Sequence, residues 1–368
     1  MSIAAVKGAP GHYRIGEGVL KELNSLLSEL NIKKAHIVTG KKSWQAAQPY
    51  MPEEIIPLNS NAITFVEGHC TVHTADSLGK RYIADGVDAV IGIGGGTALD
   101  IAKASAAEAG VKSVLIPTIA ATCAAWTPLS VFYHEDGKHS HYTEFPVANT
   151  LVLVEPAIIA NAPLQYLKAG IGDTLAKYYE ADALVQSFYK DQELPVWLQV
   201  SQFTAKLCRD ILLKDGTRAI ASAETGSVTG ELIRVIETII LTGGMVGGYG
   251  GKAGRIAGAH SIHNGLTEAE EVREFLHGEI VSYGILIQLA LENKTEELEK
   301  LLGYYKDWDF PINLESFSIN HENEELIKSI ITKAILPQES IHFMDIHITE
   351  ETVLEAVKKV EKRSYQNT

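Results

Sequence analysis

An α/β domain built on a parallel sheet over residues 1–160, followed by an all-α domain over 161–368, is the fold class this sequence predicts. Three observations carry that reading. At 368 residues the chain is long for a single hydrophobic core. Up to about residue 160, short apolar runs alternate with amphipathic segments, which is the pattern of strands buried on both faces and joined by helices. After Pro163 the strand signals nearly vanish and helical periodicity takes over.

In chain order, AHIVTG (35–40) reads as a strand ending in a turn, and AITFVEG (62–68) as a second. DAVIGIGGG (88–96) is a third, leading straight into the helical TALDIAKASAAEA (97–109). SVLIPT (113–118) and TLVLVEP (150–156) complete the strands. The helical half contains 172–189, 195–214, 229–243, 278–293 and 352–364, with a glycine-rich joint at 242–258.

The charge balance narrows the partners. With 46 acidic and 32 basic residues the net charge is -14, so a polyanionic partner, whether nucleic acid or anionic membrane, is repelled. No run of 18 uncharged apolar residues stands in the sequence, and no transmembrane helix is expected. Neither is a signal peptide, because the first residues lack a charged head before an apolar stretch. Cys70, Cys123 and Cys208 are far apart and form no CxxC, which suits a reducing cytoplasm. A small-molecule substrate is the expected partner.

Between the third strand and its helix lie Gly94, Gly95 and Gly96, then Thr97. Glycines let a phosphate approach the backbone, and the free N–H groups of the following helix favour its charge. The dinucleotide fingerprint GxGxxG is incomplete, since Thr97 stands where its third glycine belongs, and no Gly-Lys-Ser/Thr follows to make a P-loop. A tight strand-to-helix turn without a ligand is the plainer alternative. The first strand runs into Lys41 and Lys42, where two cations would welcome a 2′-phosphate, so NADP is favoured over NAD; a solvated charged turn is the other reading.

Three histidines, His260, His263 and His277, flank an acidic stretch. His260 and His263 are one helical turn apart, and His277 opens another helix. A carboxylate would complete three protein ligands with an open position, the pattern of a catalytic zinc, and Asp173 near the start of the first strong helix is the best placed. Packing histidines and a helix-start carboxylate are the ordinary alternatives.

GGGTALDIAKA, IPTIAATCAAWTPLSVFY, AGIGDTLAKYYEA, AHSIHNGLT and FLHGEIVSYGILIQL, in that order, resemble the iron-containing (group III) alcohol dehydrogenase superfamily and its glycerol dehydrogenase-like branch. ATCAAWTPLSV and GDTLAKYYEA are most similar to bacterial hydroxycarboxylate dehydrogenases. The resemblance implies a Rossmann-like NAD(P)-binding domain followed by a helical metal domain, in the dehydroquinate synthase-like architecture. It implies metal ligands at Asp173, His260 and His277, holding zinc or iron, with His263 beside them as a proton relay or a packing partner. It implies dinucleotide contacts at Gly94, Gly95, Gly96 and Thr97, and at Thr118, Ile119, Ala120, Ala121, Thr127, Leu129 and Tyr133.

Two departures bear on the substrate. Cys123 stands where glycerol dehydrogenases carry an aspartate, and a thiol is a poor replacement for a carboxylate acceptor. Lys177, four residues after Asp173, replaces a small uncharged residue and suits a substrate carboxylate, or else pairs with Asp173 or Glu180. The expected activity is therefore metal-dependent, NAD(P)-linked reduction of a small 2-oxo acid by a homo-oligomeric enzyme. Oxidation of glycerol is the alternative within the branch, and a lapsed nucleotide-binding protein the alternative outside catalysis.

Overall fold

The computed structural model describes residues 5–55, 58–254 and 256–366. Contacts divide the chain into two compact units. One takes Lys7–Leu164 and Ala221–Gly244; the other takes Gln165–Ile220 and the described chain from Met245 on.

The first unit contains β1 (His12–Ile15), α1 (Leu23–Glu29), β2 (Ala35–Thr39), α2 (Lys41–Ala47), β3 (Leu58–Phe65), α3 (Val72–Asp85), β4 (Ala89–Gly94), α4 (Gly96–Ala109), β5 (Lys112–Pro117), β6 (Leu129–Tyr133), β7 (His139–Glu144), β8 (Leu151–Val154) and α5 (Pro156–Ala160). Six strands form a fully parallel sheet in the order β1-β8-β5-β4-β2-β3, and β6 pairs antiparallel with β7. β4 is buried at every position, as a central strand covered on both faces must be. Ala89, Ile91 and Ile93 point into a core shared with Leu20, Leu23, Leu27 and Ile37. On the opposite face Gly92 meets α4, where an added Cβ would stand 2.6 Å from that of Ala102. The glycine is what lets the helix lie flat on the strand.

The strand order reverses between β2 and β4, because β3 lies beyond β2 while β5 and β8 lie beyond β4. Ligands of open parallel sheets bind outside the carboxyl ends of the strands at such a switch point. Gly94–Gly96 and Lys41–Lys42 both leave the sheet there.

By contacts, Ala221–Gly244 groups with the sheet although it follows the first long helices in sequence. The reason is packing. α6 (Leu164–Phe188) and α7 (Val196–Glu224) come first, and α8 (Gly230–Glu237) then buries Leu232, Val235 and Ile236 and packs on α5. Beyond a π-helical turn at Thr238–Thr242, Gly244 lies so close to Trp126 that a Cβ would come within 2.3 Å of its ring.

The second unit continues from Met245 with most of α9 (Gly243–Gly250), then α10 (Gly258–Leu266), α11 (His277–Leu291), α12 (Thr295–Trp308), α13 (Glu324–Ala334) and α14 (Glu350–Gln366). α11 is buried around its whole circumference from Ile280 to Leu291, so it is the central helix of its unit. Gly230–Gly254, read as one helix, is long and apolar enough to cross a membrane by length and composition; the strict requirement for uncharged residues passed over it. Just over half of its most apolar window (56%) is buried inside the protein, as in the core helix of a globular domain.

Candidate metal centre and nucleotide-binding loop

Small residues bring three helices of the second unit into backbone contact. A Cβ on Gly172 of α6 would stand 2.3 Å from the carbonyl oxygen of Gly278 on α11, and one on Gly278 would stand 1.8 Å from that of Ala169. Likewise, a Cβ on Gly284 of α11 would meet the Ala259 carbonyl of α10 at 2.3 Å. Asp173 and His277 directly follow and precede two of these contact glycines, so the close approach delivers both side chains to one point.

Asp173 Oδ1 lies 3.5 Å from Nε2 of His260 and 3.5 Å from Nε2 of His277. The three ligand atoms all fall within 4.8 Å of one another. Ligands held about 2.1 Å from an ion at tetrahedral angles stand roughly 3.4 Å apart. One carboxylate and two imidazoles are donors suited to zinc or ferrous iron. The set therefore fits a divalent cation. Asp173 is buried, whereas the His277 side chain is 45% exposed, so the centre has a wet side on which further ligands could bind.

The outer nitrogens of both imidazoles are held. His260 Nδ1 lies 2.7 Å from Glu180 Oε2, and Glu180 Oε1 accepts the backbone N–H groups of Ala257 and His260. One buried carboxylate thus serves the open N-terminus of α10 and orients a candidate ligand at the same time. His277 Nδ1 lies 2.9 Å from His263 Nε2. Lys177 Nζ donates to Asp173 Oδ2 at 3.2 Å, so of the two acids considered for it, Asp173 is the partner seen.

Burial by itself would raise the Asp173 carboxyl, but Lys177 and the two imidazoles outweigh it and hold the group well below the usual carboxylate range. Burial likewise works against the charged form of His260, yet Glu180 and Asp173 prevail and lift it to about 9. For His263, burial and the neighbouring imidazoles act together and lower it to about 3, so its ring is neutral.

In the first unit, Thr118 N–H donates to the Gly94 carbonyl and Leu99 N–H to that of Gly95, fixing the turn from β4 into α4. A Cβ on Gly94 would meet that of Ala98 at 2.8 Å, and one on Gly95 would meet Ile119 at 2.7 Å, while one on Gly96 would meet nothing. Gly95 caps α4 with no side chain, so the first N–H groups of a 14-residue helix stay open to a ligand. Thr97 is exposed, Thr118 and Ala120 are buried, and Ile119, Ala121, Cys123, Thr127, Leu129 and Tyr133 are half-buried. Lys41 and Lys42 are both exposed, and Lys41 Nζ pairs with Glu67 Oε1 at 3.0 Å, an acid that arrives after β3.

Sequence reasoning passed over the residues that pin the segment 124–129. Lys103 is fully buried; its ammonium pairs with Asp100 Oδ1 at 2.8 Å and donates to the carbonyls of Ala124, Thr127 and Leu129. Asn149 Nδ2 reaches the carbonyls of Ala125, Trp126 and Thr127 at 3.2–3.3 Å. Asp100 and Lys103 lie one turn apart in that helix, and the available signal was two charges on a face otherwise made mostly of alanine and leucine. For Glu180 the signal was its place seven residues after Asp173, on the same helix face.

The family described as iron-containing alcohol dehydrogenase matches residues 10–156. Over 96% of both chains, this one is 40% identical to the hydroxycarboxylate dehydrogenase A of Escherichia coli (strain K12). It is 36% identical to the glycerol dehydrogenase of Pseudomonas putida over 95% of both. Among solved structures, the glycerol dehydrogenase of Schizosaccharomyces pombe superposes with a TM-score of 0.88 at 27% identity, covering 99% of this chain and 92% of that one.

Proposed function

Since the chain belongs to the iron-containing alcohol dehydrogenase family, we propose that it interconverts a small 2-oxo acid and the corresponding 2-hydroxy acid. At the coarser level it is an oxidoreductase acting on CH–OH groups, dependent on NAD(P) and a divalent metal. The observation that carries the reading is the convergence of Asp173, His260 and His277 from three helices on one point.

In this reading those three residues hold the ion, zinc or alternatively iron. Bound there, it supplies Lewis-acid polarisation of the substrate oxygen, and the nicotinamide supplies or accepts the hydride. Backbone N–H groups at Gly95, Gly96 and Thr97 hold the pyrophosphate, with Gly94 giving it room. Thr118 to Ala121, Thr127, Leu129 and Tyr133 line the rest of the nucleotide. Glu180 and His263 orient the two imidazoles. The Lys177 ammonium, already beside Asp173, orients the substrate carboxylate, and Cys123 lines the substrate pocket without reacting.

A 2-oxo acid is favoured by that half-buried cation together with the name of the Escherichia coli relative, a hydroxycarboxylate dehydrogenase. Glycerol oxidation is the second reading, and the Pseudomonas putida relative's name favours it. Rates for 2-oxoglutarate and 2-oxobutanoate reduction against glycerol oxidation, measured with both nicotinamides, separate the two; a clear preference for glycerol removes the carboxylate role of Lys177. Excess chelator abolishes activity and zinc restores it, whereas an unchanged rate in metal-free protein refutes the centre. Lys41→Asp with Lys42→Ala weakens NADPH more than NADH if the lysines meet a 2′-phosphate, and equal effects remove that contact. A cytoplasmic homo-oligomer completes the reading, with sedimentation velocity as the check on its subunit number.

A further inference from the structure

Beyond His277 the hydrogen bonds continue away from the metal ligands. His277 Nδ1 lies 2.9 Å from His263 Nε2, His263 Nδ1 lies 3.1 Å from Asn264 Oδ1, and Asn264 Nδ2 lies 2.9 Å from Glu339 Oε2. Glu339 is half-buried, in the segment between α13 and the chain leading to α14, and 62 residues from His277 in sequence.

We infer that Glu339 is a positioning residue that dictates, through Asn264 and His263, which nitrogen of His277 is free to bind the ion. The argument is one of hydrogen-bond polarity. A carboxylate only accepts, so the Asn264 amide must turn its NH₂ toward Glu339 and its oxygen toward His263. That oxygen requires N–H at His263 Nδ1, and a neutral imidazole with one N–H then accepts at Nε2. His277 must consequently carry its proton on Nδ1. Its Nε2, 3.5 Å from Asp173 Oδ1, is left as the nitrogen free to take an ion. Every bond in the chain has one allowed direction, and the anion at its end sets all of them.

The amide in the middle makes this a device for orientation: passing a proton along it would require a high-energy imidic acid form of Asn264. His263 accordingly acts on His277 by holding it. The inference rests on the metal reading above and adds to it a residue that touches neither the ion nor any of its ligands.

The test compares Glu339→Gln with Glu339→Lys at this half-buried position. A glutamine oxygen accepts from Asn264 and preserves the polarity. A lysine ammonium only donates, so Asn264 flips, His263 donates from Nε2, and His277 is left with its proton on Nε2. Cobalt(II) titrations followed by visible absorption give the affinity, and long-range ¹H–¹⁵N spectra of ¹⁵N-histidine-labelled metal-free protein give the tautomers. Glu339→Gln stays within about threefold of the unmodified protein, while Glu339→Lys binds cobalt about 10–100-fold more weakly, the range for lost orienting partners. In the metal-free protein the His277 Nδ1 proton is lost in the lysine variant alone. Unchanged tautomers in Glu339→Lys overturn the inference even if affinity falls, since charge alone explains that fall; so does equal weakening by both variants. Failure of the unmodified protein to bind cobalt overturns the metal centre itself, a different result from normal binding that ignores residue 339.

Discussion

Glu180 Oε2 stands 2.7 Å from His260 Nδ1, and the same carboxylate accepts two backbone N–H groups at the start of α10. Orientation of a candidate ligand and closure of a helix end are thus one contact. Glu180→Gln separates them. The amide oxygen still accepts the backbone donors, but its NH₂ faces Nδ1 and forces the His260 proton onto Nε2. Zinc affinity by calorimetry drops about 10–100-fold. Loss of charge-assisted hydrogen bonds costs the metal-free protein about 1–3 kcal/mol in urea unfolding. A variant that loses stability yet binds zinc normally assigns Glu180 to the helix end alone.

Gly278 offers a packing test of the same centre. A methyl group there would lie 1.8 Å from the Ala169 carbonyl oxygen, and backbone cannot step aside as a side chain can. Gly278→Ala spreads α6 from α11 and with them Asp173 from His277. Overpacking of this kind costs about 1–3 kcal/mol or more, and zinc is lost on dialysis. Retention of one zinc per chain in this variant contradicts the packing account.

Lys103→Met leaves Asp100 as a buried, uncompensated charge and releases three carbonyls of the segment 124–129. The expected cost is about 3–5 kcal/mol. Adding Asp100→Asn removes the stranded charge and keeps an acceptor for Val131 N–H, so the double variant recovers part of the loss. Additive losses in a double-mutant cycle show that the pair is uncoupled.

His36, in β2, gives a pH signature independent of the metal. Burial lowers it to about 4, with help from Arg81, while its ring bonds to Thr64 and lies beside Tyr82. The folded chain holds the proton less tightly than the unfolded chain, whose histidine titrates near 6.5. His36 therefore contributes stability above pH 6.5 that is lost as pH falls toward 4. Urea midpoints at pH 7 and pH 5 differ less in His36→Leu than in the unmodified protein. An identical drop in both removes His36 from the acid response.

Much of this was legible along the chain, and the unread parts share a cause. β4, the glycine turn and α4 are contiguous, so periodicity and the Gly94–Gly96 run announced them together. Asp173, His260 and His277 carried the residue types of a metal centre, and their motifs stood in a recognisable order. The hairpin β6–β7 went unread because HSHYTE, mostly exposed, has no apolar alternation to betray a strand. β1 and β8 are parallel neighbours separated by more than 130 residues, and a register such as His12 against Leu151 leaves no local trace.

By itself the sequence determined the two kinds of secondary structure and which side chains could bind an ion or a phosphate. Local propensity and residue chemistry act over a few residues and can be read there. Only tertiary structure decided that Ala221–Gly244 belongs with the sheet, that Lys41 faces Glu67, that Glu180 holds His260, and that Glu339 ends a chain of hydrogen bonds beginning at His277. Those pairings depend on distances set by close-packed helices and sheet order, and a one-dimensional string does not contain them until the chain has folded.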